Sequence, residues 1–218
     1  MPPRPIAVLF DLDGTLVDTI QFILGSVRHT FEGYRGRCPT DAEWIAGIGT
    51  PLRAQLAEFA LRPEDVEPLL ERYRAHQRLH FDRLTRPYDG AVEVVRGLKD
   101  RGHPVGVVTA KLQEPAERAV QLIGLGGCVD VVVSADSCPR AKPHPDPVLL
   151  ALSRLGRGPG EAVFVGDSPH DIAAGNAAGA VSAAALWGAC SREVLVAARP
   201  AHLLERIGEV PGLVERLG

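Results

Sequence analysis

Two aspartates near the N-terminus are the residues of this chain that are best placed to do chemistry. Asp11 and Asp13 follow an apolar run from Ile6 to Phe10, and a run without polar alternation is typical of a parallel strand covered on both faces. Because strand side chains repeat every two residues, both carboxylates should project from the same side of the strand's C-terminal end. Paired acids in such a cleft can hold a metal ion or transfer protons. The alternative is a strand that ends in an Asx turn at Gly14.

Three later stretches supply candidate partners for the two aspartates. Thr109 follows an apolar strand, Lys142 lies in the loop AKPHPDP, and Asp167 opens the sequence DSPHD after another strand. Since the C-terminal ends of parallel strands gather at one edge of a sheet, Thr109 and Asp167 should meet Asp11 there. The loop that holds Lys142 should lie nearby. Taken singly, each has a plainer explanation, as a helix cap, a solvated lysine or an acid at a helix N-terminus.

Residues 16–87 show helical periodicity and no strand pattern. Asp18 is a possible N-cap of the first helix, and Thr40 opens the sequence TDAE, which has the spacing of a capping box. Pro51 suits the first turn of a third helix, and a fourth should run from Pro63 to about residue 80. We interpret this block as an all-helical cap domain inserted after the first strand.

Short apolar strands alternate with helices from residue 88 to the C-terminus, which is typical of βαβ units. The predicted strands after the first are residues 105–108, 129–133, 162–165 and 181–186. The fold is therefore expected to be α/β, with a Rossmann-like parallel sheet core formed by residues 1–15 and 88–218.

Composition excludes several classes of function. The net charge is −3 without a basic block, which argues against nucleic acid or an anionic membrane as the main partner. No apolar run approaches the ~20 residues that a membrane-spanning helix needs, and MPPRP leads straight into the first strand. We therefore expect a cytoplasmic protein. The four cysteines lack CxxC spacing, so neither a disulfide framework nor a cysteine metal site is expected.

Taken in order, these stretches resemble the four motifs of the haloacid dehalogenase-like hydrolase superfamily. The motifs are DLDGT from Asp11 to Thr15, Thr109 at a strand end, Lys142 in AKPHPDP, and GDSPHD from Gly166 to Asp171. The resemblance covers essentially the whole chain. The helical insertion is similar to the cap of the group that holds phosphoglycolate phosphatases and the related pyrophosphatase.

The resemblance implies an Mg²⁺-dependent phosphatase that works through an aspartyl phosphate. Asp11 is the candidate nucleophile, since a carboxylate can attack phosphorus and divide the hydrolysis into two easier steps. Asp11 and Asp167 offer the oxygen ligands that Mg²⁺ prefers, and the family pattern adds the backbone carbonyl of Asp13. The Asp13 carboxyl would protonate the leaving oxygen and later deprotonate water.

Further residues complete the expected site. Lys142 would balance the charges of nucleophile and phosphoryl group, and Thr109 would hold a phosphoryl oxygen through its hydroxyl and amide. Asp171, within one turn of Asp167, would hydrogen-bond metal-bound water. The roles of three neighbouring residues stay open: Lys111, His144 and His170.

The residue types also narrow the reaction. Asp13 favours a phosphatase or phosphomutase over a dehalogenase, since a leaving halide needs no proton. Gly166 before Asp167 favours phosphatases over sugar phosphomutases. We expect hydrolysis of a small phosphomonoester such as phosphoglycolate by a monomer or homodimer. The alternatives are an inorganic pyrophosphatase or a sugar phosphomutase, and more distantly a catalytically silent Mg²⁺-binding regulatory module.

One interruption of the predicted cap is where we expect substrate selection. The sequence GIGTPLR from Gly47 to Arg53 offers free amides at a helix N-terminus beside a cation, a combination that suits a carboxylate or second phosphate. Arg53 is therefore predicted to bind the non-phosphoryl part of the substrate. The alternative is that Arg53 lies on an exposed helix face and the glycines only permit a turn.

Overall fold

The computed structural model describes residues 5–218. Its strands are β1 (Ala7–Phe10), β2 (Val105–Val108), β3 (Val131–Val133), β4 (Ala162–Gly166), β5 (Val181–Ala185) and β6 (His202–Leu204). They form one parallel sheet in the order β3-β2-β1-β4-β5-β6. The predicted α/β fold with a parallel sheet is therefore confirmed.

Helices precede or follow every strand. They are α1 (Ile20–Phe31), α2 (Asp41–Ala46), α3 (Leu52–Phe59), α4 (Val66–Leu84), α5 (Ala91–Asp100), α6 (Gln113–Leu122), α7 (Asp146–Arg154), α8 (Pro169–Ala178), α9 (Arg192–Ala197) and α10 (Val210–Leu217). Short 3₁₀ turns lie at Pro63–Asp65, Pro159–Glu161 and Ile207–Glu209. Among the residues that the structure describes, no helix combines the length and the apolarity needed to cross a membrane.

The central strand β1 is covered on both faces. Val8 and Phe10 belong to one hydrophobic cluster, and Ala7 and Leu9 belong to another, as the alternation of strand side chains requires. Leu9 pairs with Gly106 of β2, where an added Cβ would come within 2.7 Å of the Leu9 side chain. Burial of both faces fixes β1 in the middle of the sheet, and the residues after it therefore lie at the centre of one sheet edge.

Helices α1 to α4, here called the helical segment, share a hydrophobic cluster of their own. Trp44 of α2 is 1% exposed in this cluster, and its ring stacks on Tyr73 of α4 with centroids 6.5 Å apart. The connections into and out of the segment lie side by side, because Val17 forms bridges with both Asp13 and Pro87. The helical segment is therefore attached to the sheet through a paired connection.

The helix starts agree only in part with the sequence-based expectations. The capping box is present, with the Glu43 N–H donating to the Thr40 hydroxyl at 3.3 Å and the Thr40 N–H donating to the Glu43 carboxylate at 2.8 Å. The prediction that Asp18 caps α1 is wrong. Thr19 is the N-cap residue and forms no side-chain cap bond. Asp18 lies in the extended connection, where its N–H donates to the Arg86 carbonyl at 2.8 Å.

Other differences concern the ends of elements. Helix α4 continues to Leu84, past the predicted end near residue 80, and β3 begins at Val131 rather than Val129. Elements β6, α9 and α10 were not predicted. They are short, so they give little periodicity to detect.

We expect Trp44→Ala to lower the free energy of unfolding by about 3–5 kcal/mol, because it leaves a cavity among the aromatic rings of the helical segment. Urea denaturation followed by circular dichroism would measure the change. Trp44→Phe keeps most of the ring contacts and should cost clearly less. Equal losses for the two variants would contradict the assigned packing of this ring.

Candidate active site

The candidate site lies at the C-terminal edge of the sheet. Asp11 follows β1 directly, and its N–H donates to the Val165 carbonyl of β4 at 2.9 Å. Thr109 and Asp167 follow β2 and β4 in the same way. The parallel topology thus gathers at one edge the residues that the sequence separates widely.

Three buried carboxylates form the centre of the site. Asp11, Asp167 and Asp171 each offer an oxygen, and these oxygens all lie within 4.8 Å of one another. Asp167 accepts hydrogen bonds from the Thr15 hydroxyl at 2.9 Å and from the Ala189 N–H at 2.8 Å. We call Asp11, Asp167 and Asp171 the acidic trio.

Lys142 lies beside the acidic trio. Its Nζ is 2.6 Å from Asp171 Oδ1 and 3.0 Å from Asp11 Oδ1, and it donates to the Val108 carbonyl at 3.2 Å. The side chain is 1% exposed. Burial alone would lower the pKa of Lys142, but Asp11 and Asp171 outweigh it and raise that pKa. The contact with Asp11 is an ion pair without hydrogen-bond alignment, which leaves Asp11 Oδ1 buried with no hydrogen-bond donor.

Seryl and backbone donors hold the third carboxylate of the acidic trio. Asp171 Oδ2 accepts from the Ser168 hydroxyl at 2.6 Å and from the Ser168 N–H at 3.0 Å. Ser168 in turn is the N-cap of α8, which begins at Pro169. Because Oδ1 contacts Lys142, both oxygens of Asp171 already have partners. This arrangement suits the expected contact of Asp171 with metal-bound water better than direct ligation.

The electrostatics of the acidic trio favour a divalent cation. Burial raises the pKa of Asp11 well above its ordinary value, and Lys142 only partly opposes this rise. Burial and the charge of Asp171 raise the pKa of Asp167 to about 7. Three carboxylates beside a single ammonium leave two negative charges uncompensated, and buried charge without a partner is costly. A hard divalent ion among these oxygens would supply the missing charge and a partner for Asp11 Oδ1.

Three glycines lie so close to the acidic trio that a side chain on any of them would overlap with one of its aspartates. A Cβ on Gly14, where φ is +79°, would lie 2.2 Å from Asp167 Oδ2, and a Cβ on Gly166 would lie 2.3 Å from Asp171 Cβ. A Cβ on Gly188 would lie 2.2 Å from Asp167 Cβ. A larger residue at any of these positions would displace a carboxylate of the acidic trio.

Asp13 lies in a different setting from Asp11. Its Oδ1 accepts from the Thr19 hydroxyl at 2.5 Å, and its Oδ2 lies 2.9 Å from Lys111 Nζ. Among the described residues, no donor contacts the main-chain oxygen of Asp13, so this oxygen is free to bind a cation. The sequence left Lys111 without a role, although lysine is rare here and Lys111 stands two residues beyond Thr109.

The structure places the remaining candidates as follows. The Thr109 N–H donates to the Val133 carbonyl at 2.9 Å, which does not support the expected contact of this amide with a phosphoryl oxygen. The contact of the Thr109 hydroxyl with phosphate stays a prediction. Arg53 is not brought to the acidic trio in this arrangement: its guanidinium pairs with Glu67, and the side chain is 62% exposed. Its substrate contact stays a prediction that this pairing does not support.

Two histidines near the motifs differ in their surroundings. His144 is exposed. His170 lies beneath the turn between α2 and α3, where a Cβ on Gly49 would come within 3.2 Å of the His170 Cβ and 2.8 Å of the Ser168 hydroxyl. Burial lowers the pKa of His170. The glycine turn of the helical segment therefore packs directly against the start of α8.

The chain belongs to the haloacid dehalogenase-like hydrolases, whose family model matches residues 8–185. The resemblance seen in the four motifs is thereby confirmed. The match runs from β1 to β5 and includes every residue of the acidic trio together with Lys142.

Similar proteins match this chain over most of its length. The chain is 37% identical over 210 residues to a protein named Pyrophosphatase PpaX from Bacillus velezensis, covering 95% of each chain. It is 40% identical over 176 residues to one of the same name from Halalkalibacterium halodurans, covering 81% of each. A crystal structure described as a predicted phosphoglycolate phosphatase from Haemophilus somnus matches with a TM-score of 0.86 at 21% identity, covering 98% of this chain and 99% of that one. This last likeness shows the fold alone.

We expect Gly188→Ala to lower the free energy of unfolding by about 1–3 kcal/mol, the usual cost of overpacking. Its Cβ would lie 2.2 Å from Asp167 Cβ and 2.5 Å from the Gly14 carbonyl oxygen. Gly97→Ala is the matched control, because Gly97 lies within α5 with open space around it. That variant should gain up to ~1 kcal/mol from helix propensity. Urea denaturation tests both, and an unaffected Gly188→Ala would contradict the assigned packing.

Proposed function

We propose that this hydrolase is an Mg²⁺-dependent phosphatase that acts on a small phosphate substrate through an aspartyl phosphate. The observation that carries the proposal is the buried acidic trio with Lys142 at the C-terminal edge of the sheet. This combination provides a nucleophile, hard oxygen ligands and a fixed positive charge, which are the parts that phosphoryl transfer requires.

The proposed metal ligands are the Asp11 and Asp167 carboxylates and the Asp13 main-chain oxygen. When bound, Mg²⁺ would reduce the repulsion between the anionic nucleophile and the anionic phosphate. Lys142 would neutralise the nucleophile from its other side, and Asp171 would orient Lys142 and metal-bound water. The Thr109 hydroxyl would donate to a phosphoryl oxygen.

The proposed reaction has two steps. A carboxylate oxygen of Asp11 attacks phosphorus while the bond from phosphorus to the leaving oxygen breaks, and Asp13 gives that oxygen its proton. Water then attacks the phosphorus of the aspartyl phosphate and gives a proton to Asp13. The bond from phosphorus to the Asp11 oxygen breaks, which releases phosphate and restores the Asp11 carboxylate.

The proposed substrate is a phosphomonoester of phosphoglycolate type or inorganic pyrophosphate. Inorganic pyrophosphate is the second candidate. It is supported by the relatives named Pyrophosphatase PpaX, one of which matches at 37% identity over 95% of the chain.

We also propose that residues 16–87 act as a cap domain over the core of residues 1–15 and 88–218. The separate hydrophobic cluster and paired connection of the helical segment support this division. A cytoplasmic monomer or homodimer remains our expectation.

Asp11→Asn keeps the shape of the side chain but removes its charge, so we expect kcat to fall by at least ~10³, the scale of deleting a principal catalytic group. Hydrolysis of p-nitrophenyl phosphate with and without Mg²⁺ measures the effect. Asp100→Asn, an equal change at the exposed end of α5, should leave the rate unchanged. If folded Asp11→Asn retains more than a tenth of the wild-type rate, Asp11 is not the nucleophile.

Asp13→Asn should affect substrates according to how much their leaving group needs a proton. We expect a far larger loss of kcat/KM for ethyl phosphate, whose alkoxide is a poor leaving group, than for p-nitrophenyl phosphate. Steady-state kinetics on both substrates make the comparison. Equal losses would assign Asp13 a structural or metal-holding role in place of acid catalysis.

A further inference from the structure

We infer that Lys111 binds a negatively charged group on the leaving part of the substrate and thereby selects substrates with two anionic groups. Pyrophosphate carries such a group as its second phosphate, and phosphoglycolate carries it as a carboxylate. The inference rests on the proposed phosphatase function, since it assigns the leaving side of the same site.

The position of Lys111 is the first observation. Its Nζ lies 2.9 Å from Asp13 Oδ2, and Asp13 is the residue proposed to meet the leaving oxygen. Lys142, by contrast, contacts Asp11 and Asp171 on the nucleophile side. Lys142 therefore contacts the proposed nucleophile, whereas Lys111 contacts the residue that is proposed to meet the leaving oxygen.

The accessibility of the two lysines is the second observation. Lys142 is 1% exposed and contacts two carboxylates and a carbonyl. Lys111 is 15% exposed, and among the described residues its ammonium contacts a single carboxylate oxygen. An ammonium has three N–H donors, so Lys111 can contact an incoming anion while it still contacts Asp13.

The anchoring of the Lys111 backbone is the third observation. The Lys111 N–H donates to the Thr109 hydroxyl at 3.2 Å, and the Lys111 carbonyl accepts from the Ala135 N–H at 2.8 Å. The backbone of Lys111 is therefore held next to Thr109, the residue that would contact the transferred phosphoryl group. From this place the ammonium would bind a second anion on the leaving part of the substrate, while Lys142 keeps its contacts with Asp11 and Asp171.

The charge balance of the site is the fourth observation. Mg²⁺ and Lys142 together would match the three charges of the acidic trio, and Lys111 matches Asp13. An ammonium has three N–H donors, so Lys111 can share its charge between Asp13 and a second anionic group of the substrate. Arg53, the cation expected for this task from the sequence, is paired with Glu67.

The test compares substrates that differ in the second anion. Wild type and Lys111→Met would be assayed with Mg²⁺ on phosphoglycolate and ethyl phosphate, which differ by a carboxylate, and on pyrophosphate. We expect Lys111→Met to lower the ratio of kcat/KM for phosphoglycolate or pyrophosphate over that for ethyl phosphate by ~10-fold or more, the worth of a charge-assisted hydrogen bond. Lys111→Arg keeps the charge and should restore part of this ratio.

The chain offers a matched control in Lys99, a partly exposed lysine of α5 that also pairs with an aspartate, Asp130. Lys99→Met should leave the ratio unchanged. Equal losses of kcat/KM on all substrates for Lys111→Met would assign Lys111 a positioning role toward Asp13 and overturn the inference. A ratio that falls in Arg53→Ala but not in Lys111→Met would overturn it in favour of Arg53.

A binding measurement separates failure of this inference from failure of the proposed function. Calorimetry with methylenediphosphonate and Mg²⁺ should show ~10-fold weaker binding to Lys111→Met than to wild type and Lys99→Met. If wild type hydrolyses none of the phosphate substrates, the proposed function fails. If wild type hydrolyses them but the Lys111 ratio and affinity are unchanged, only the inference about Lys111 fails.

Discussion

The ion pairs of one buried lysine are the interactions on which the rest of the site depends. Lys142 lies between Asp11 and Asp171 with almost no exposure to solvent, and each charge is stable there only because the others are present. Removing one partner of a buried ion pair typically costs about 3–5 kcal/mol. The loop that holds Lys142 must therefore stay against the end of β2, where the Val108 carbonyl accepts the third contact of the ammonium. A site that concentrates negative charge is in this way built around a positive one.

The acidic trio also requires the backbone to approach its carboxylates closely. Gly14 and Gly188 contact Asp167 from two loops, and Gly166 faces Asp171. These positions are glycine because the acids occupy the volume of the missing Cβ atoms. Glycine at these positions thus allows several acids to lie close together. Hydrogen-bond donors of Thr15, Ser168 and Ala189 stabilise their carboxylates.

The sequence predicted the sheet well because its central strands are covered on both faces and therefore read as unbroken apolar runs. It also predicted that Asp11, Thr109, Lys142 and Asp167 would gather, since parallel strands place their ends together. It did not predict β6, which is three residues long, or the use of the Thr109 amide by β3. The pairing of Lys111 with Asp13 could not be predicted from the sequence either, because the direction of a long side chain depends on neighbours from another strand.

The contact between Thr19 and Asp13 couples the helical segment to the site mechanically. Thr19 is the N-cap residue of α1, and its hydroxyl contacts Asp13 Oδ1 at 2.5 Å, while Val17 pairs with Asp13 through the backbone. A displacement of the start of α1 away from the sheet by about two ångströms would lengthen this contact beyond hydrogen-bond range. The orientation of the Asp13 carboxyl therefore depends on the position of α1, so any displacement of that helix would also change the alignment of this side chain.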